Sequence, residues 1–125
     1  MDFYNNADTS GIRRVYSNDN DDITTKSYRK LWRGVIYQLF WDYYRVPKTD
    51  NQHEHYQEAV NFLKYNGEQL DKICFLANIN PEYLLEKMGK VRSAIDMGLV
   101  SNVHNENKMQ FTLDKILRRI TGFYA

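Results

Sequence analysis

Apolar positions recur every three or four residues through most of the chain beyond residue 23. Within residues 24–45, Tyr28, Leu31, Trp32, Val35, Leu39 and Tyr43 follow the helical period. Ile36, Phe40 and Tyr44 widen that stripe, which predicts a central helix buried on more than one side. Thr24 or Thr25 suits its first turn as a cap, and Val46-Pro47 disfavours its continuation. Residues 48–52 read as a polar loop. A second helix is predicted over residues 53–65, with Tyr56, Ala59, Val60 and Leu63 on one face, and Asn66-Gly67 as its stop. A third, over 68–77, turns Leu70, Ile73, Cys74 and Ala77 inward. A fourth, over 81–98, turns Leu84, Leu85, Met88, Val91 and Ile95 inward. A fifth, over 112–122, starts at a Thr cap, ends at Gly122 and buries Leu113, Ile116, Leu117 and Ile120. Residues 101–108 are polar and predict a loop, and no segment shows convincing strand alternation. The expected fold is all-α, a small bundle of about five helices.

The junction between the third and fourth helices has the residues that a helix-turn-helix demands, which predicts such a unit over residues 68–97. Cys74 supplies a small residue where a second helix can pack closely. Asn78 stands where the chain leaves the helix in the left-handed region, a conformation Asn tolerates by local hydrogen bonding. Ile79 offers an aliphatic side chain to the core. Asn80 can cap the next helix, and Pro81 suits its first position, where a missing N–H costs nothing. Glu82 complements the positive end of the helix dipole. An ordinary corner between two bundle helices asks for the same residues, so the turn alone does not name a function.

Residues 1–23 are rich in Asn, Asp, Ser and Gly and predict a flexible arm, leaving residues 24–125 as a single helical domain. The 125 residues carry a net charge of +1, but the charge alternates in blocks. Residues 26–48 hold six basic side chains against one acidic, and residues 50–71 hold one basic against five acidic. Solvated helix faces explain such blocks, and so does a basic face for phosphate on a nearly neutral protein. No apolar run is long enough to span a membrane, and no signal-peptide pattern opens the chain. A lone cysteine, Cys74, forms no internal disulfide and agrees with a reducing, cytoplasmic setting.

If the unit binds DNA, the exposed positions of its second helix are Tyr83, Glu86, Lys87 and Lys90, with Glu82 and Arg92 nearby. Lysines suit phosphate, and Tyr83 and Glu86 suit base edges, since a carboxylate can accept from the cytosine amino group. Glu82 and Glu86 repel phosphate, so further basic groups are needed. Arg29, Lys30 and Arg33 are candidates, as are Arg13 and Arg14 of the arm, which could enter a minor groove, and Lys115, Arg118 and Arg119. A solvated pair on a disordered tail is the plainer account of Arg13 and Arg14.

Residues 28–91 also resemble small phage- or prophage-encoded helix-turn-helix proteins of α-proteobacterial type. Leu31-Trp32-Arg33, the segment from Ala59 to Leu63, and Ile73-Cys74 through Leu84 stand at matching core positions. Phe62 replaces a Trp of that pattern and Asn78 replaces a Gly. The resemblance covers about half the chain and implies a DNA-binding or transcription-associated role.

Other chemistry is sparse. His53 and His55 are two apart and point to different helix faces, unlike the i, i+4 pair of a zinc site. Cys74 is expected to be buried, which disfavours a catalytic thiol. The helical spacing of the aromatics from Trp32 to Tyr44 indicates core packing more than base stacking. The expectation is a non-enzymatic protein without cofactor, metal or membrane. It binds double-stranded DNA sequence-selectively, as a small transcriptional regulator or a phage DNA-packaging component. A protein partner or homodimer is compatible with that. The alternative is an interaction module docking on a polymerase, a terminase or another partner subunit.

Overall fold

The computed structural model describes residues 23–102 and 111–124. Five helices run in order: α1 (Ile23–Tyr44), α2 (Asp50–Tyr65), α3 (Gly67–Ala77), α4 (Pro81–Asp96) and α5 (Leu113–Thr121). A two-residue parallel pairing, β1 (Val100–Ser101) with β2 (Phe111–Thr112), sets Val100 opposite Phe111 and Ser101 opposite Thr112. No strand alternation announces this pairing, because two residues are too few to show one. Arg13, Arg14 and the rest of the predicted arm up to residue 22 lie outside the described residues.

The central helix is α1, which packs against α2, α3 and α5. Its second half carries the core: Ile36, Tyr37, Phe40, Trp41 and Tyr44 are buried. Cys74, Ala77, Ile79, Leu84, Val91, Leu113 and Leu117 meet them from the other elements. The first half of the predicted stripe is corrected by the structure. Tyr28, Leu31 and Val35 are exposed, because the described neighbours of α1 cover chiefly its later turns. Leu85, expected inward, is likewise exposed, since Leu84 and Val91 take the buried side of α4.

The helix ends follow local chemistry. Thr49 accepts from Gln52 N at 3.1 Å and starts α2 at Asp50, three residues before the start at residue 53 that the pattern predicts. Thr112 caps α5, and Gly122, at φ 72°, closes it. Asn66 alone separates α2 from α3, so α2 stops where Asn66-Gly67 predicts, with Asn66 at a φ of −121° and no left-handed residue. Within α1, Gly34 admits the ring of Phe123: a Cβ there would stand 2.9 Å from Phe123 Cε1. Glycine in a helix interior costs about 1 kcal/mol relative to alanine, and here it makes room for the chain end beyond α5.

The α3–α4 joint is a three-residue turn, Asn78 to Asn80. Asn78 has φ 60° and ψ 48°, the left-handed region, and is the one non-glycine residue with positive φ among the described residues. Ile79 N donates to Cys74 O at 2.9 Å and Asn78 N to Phe75 O at 3.1 Å, satisfying the last carbonyls of α3. Asn80 Oδ1 accepts from Glu82 N at 2.9 Å, and Pro81 opens α4. Asn78 is itself buried, so a β-branched side chain there meets both left-handed strain and crowding. Asn78→Val is expected to lose about 1–2 kcal/mol, whereas Asn78→Gly stays neutral or gains slightly. Urea unfolding of the two variants checks this, and equal midpoints would contradict it.

Candidate nucleic-acid interface

On α4, the buried edge formed by Leu84 and Val91 sets the direction of every other side chain. The opposite, outermost strip carries Glu82, Glu86, Gly89 and Ser93, all exposed. One flank carries Tyr83 and Lys87, both half-buried, and exposed Lys90. The other carries Leu85, Arg92 and Asp96.

The charges on α4 are largely occupied locally. Lys90 Nζ lies 3.6 Å from Glu86 Oε2, and Arg92 lies 3.7 Å from Asp96 Oδ1. Both pairs are exposed, so each contributes little to stability and exchanges readily for another partner. Arg92 also lies over the rings of Tyr43 and Tyr44. Lys87 Nζ stands 5.6 Å from the centre of the Tyr83 ring. Burial, and after it the Glu86 carboxylate, raises the Tyr83 pKa, so its hydroxyl stays a neutral donor.

Of the basic residues on α1, Lys30 is exposed and Arg29 is half-buried. Arg33 is engaged in the fold: its Nε donates to Ala77 O at 2.9 Å, at the end of α3. Burial, and next the neighbouring Arg29 charge, lowers its pKa. This contact brings the basic first half of α1 to the same end of the molecule as the turn into α4. Arg118 is likewise committed, pairing with Asp114 at 3.1 Å and lying over the Tyr37 ring. Tyr37 donates to the same Asp114 carboxylate.

What the residue pattern did not reveal is a groove between α4 and α5, lined by Tyr83, Lys87 and Lys90 from one side and Arg119 from the other. Helical spacing placed the three α4 residues on one flank, but nothing in the spacing paired that flank with Arg119. Among the described residues, no cluster of three or more His, Cys, Asp or Glu side chains is arranged to hold a metal ion. No described helix is long and apolar enough to cross a membrane.

Comparison with protein-family models, with curated proteins and with solved structures gives no match. The resemblance to phage-type proteins therefore rests on the core positions of this chain alone.

Proposed function

We propose that the chain binds duplex DNA sequence-selectively through α3, the Asn78–Asn80 turn and α4, serving as a small transcriptional regulator or a phage DNA-packaging component. The observation that carries this reading is the turn. A left-handed Asn78, a buried Ile79 and a capping Asn80 support a helix-turn-helix at this joint. In that arrangement α4 is the recognition helix. Lys87, Lys90 and Arg119 supply phosphate contacts on one flank, and Lys30 and Arg29 add to them at the turn end. Tyr83 and Glu86 stand in the first half of α4, where base edges are read. Glu82 and Glu86 weaken non-specific attraction, which favours selectivity over raw affinity.

A titration over a salt series with a site selected from a random duplex library tests the proposal. Lys87→Gln and Lys90→Gln should each reduce the salt slope by about one unit on every duplex. Glu86→Gln should alter base preference by about 1–3 kcal/mol at one position and leave the slope unchanged. Failure of any duplex to be enriched at low salt overturns the reading.

A second reading, docking on a protein partner, is favoured by one observation. Leu85, Met97 and Leu99 are all more than half exposed, at 53%, 70% and 56%. Met97 and Leu99 line a surface hollow with Gly89 and Ser93. Under this reading Leu85→Lys and Met97→Lys abolish capture of the partner, while Lys87→Gln does not.

A further inference from the structure

The α4–α5 groove has two distinct halves. Its floor is aliphatic, formed by Val91, Val100, Ile116 and Ile120. Its charged lining is wholly cationic, consisting of Lys87, Lys90 and Arg119. Lys90 and Arg119 are exposed, so their charged ends reach water at the rim, whereas Val91 and Val100 are buried beneath. The space amounts to about 300 Å³, the lower end of the range for small-molecule pockets.

We propose that this groove binds a small organic anion with an apolar body, of the aromatic carboxylate class. The argument is one of complementarity. An inorganic anion would satisfy the rim but leave the aliphatic floor wet, and a neutral hydrocarbon would fill the floor without using the rim. A cation meets the like-charged lining of Lys87, Lys90 and Arg119, of which Lys90 is paired with Glu86. A carboxylate on a flat ring system satisfies both halves, with the ring over Val91 and Ile116 and the charge toward Lys87 and Arg119. The nearby Glu86 carboxylate holds Lys90 through an exposed contact of 3.6 Å, which a bound carboxylate displaces at small cost. Tyr83, kept neutral by its surroundings, offers a hydroxyl to the same anion. The site is read from the free protein and does not depend on the duplex-binding proposal.

The test is calorimetric titration of the full chain with 2-naphthoate and with 2-naphthylmethanol, which has the same rings without the charge. The expected result is a naphthoate Kd of about 1 mM or tighter, with the alcohol at least about tenfold weaker. The double variant Lys87→Gln/Arg119→Gln should weaken naphthoate binding by at least about fivefold while keeping a cooperative melt, since Arg119 is exposed and Lys87 is half-buried outside the core cluster. Ala94→Trp, which fills the groove from α4, should abolish binding. Amide shifts on naphthoate addition should concentrate at Val91, Ile116 and Ile120. Equal binding of the alcohol overturns the proposal. So does the absence of any binding up to about 10 mM, or full binding by both variants.

Discussion

Raised from pH 9 to pH 11, the protein is expected to lose stability, by about 2 kcal/mol through Cys74 alone and by smaller, solvent-screened amounts through Tyr37 and Tyr44. Cys74 accounts for the first part. It is fully buried, and burial, with a smaller contribution from Asp71, pushes its thiol from an ordinary value of 9.0 up to about 12. Tyr37 follows, pushed up to about 12 by burial and then by its hydrogen bond to the Asp114 carboxylate. Tyr44 is raised as well, chiefly by burial, while its hydroxyl donates to Met88 O at 2.8 Å. All three are groups whose folded pKa lies above the unfolded one. Their contribution is complete below pH 9 and declines as pH rises, because the unfolded chain releases protons that the native chain retains. Near pH 11 each group adds a slope of at most about 1.4 kcal/mol per pH unit, the limit for one proton released only on unfolding. Cys74→Ala removes the largest of the three, so stability should fall less steeply between pH 10 and pH 11. Urea unfolding of both proteins at pH 9, 10 and 11 measures those slopes. Identical slopes, or rapid labelling of the native thiol at pH 10, would show that Cys74 is not held as a buried thiol.

Leu84→Ala should cost about 2–5 kcal/mol, the range for emptying a fully enclosed leucine site. Leu85→Ala should stay within about 0.5 kcal/mol. The two residues are adjacent and alike in chemistry, but Leu84 is wholly buried against the core cluster and Leu85 is 53% exposed. Leu84 is also the contact that seats α4 near its start, one turn beyond Asn80. Its loss should therefore loosen α4 as a whole, and amide exchange along residues 84–95 should accelerate together with the fall in stability. Similar losses for the two variants would mean that α4 is rotated about its axis from the orientation described.

The candidate site was legible in part. Tyr83, Lys87 and Lys90 follow from helical spacing once α4 is recognised, and they do share a flank. Arg33 shows the opposite case. As a sequence position it is one more cation in a basic block, yet it closes the end of α3 through Ala77 O, 44 residues away. Arg118 and Arg119 are neighbours of identical type. Arg118 is bound to Asp114 beside Tyr37, and Arg119 lines the groove.

By itself, the sequence determined the five helices, most of their ends and the geometry of the Asn78 turn. Those features depend on interactions within a few residues: a Thr or Asn side chain reaching a backbone N–H, a proline lacking one, and an asparagine tolerating positive φ. Only the tertiary structure decided which apolar faces are covered. Periodicity marks a stripe but does not say how many neighbours lie against it, so Tyr28, Leu31, Val35 and Leu85 read as core and are exposed. The tertiary fold also decided why Gly34 is a glycine, since Phe123 arrives there from 89 positions along the chain. It joined Tyr37 to Asp114 across 77 positions and set Arg119 opposite Lys87. Such pairings arise from the packing of separate helices, and short-range stereochemistry carries no record of them.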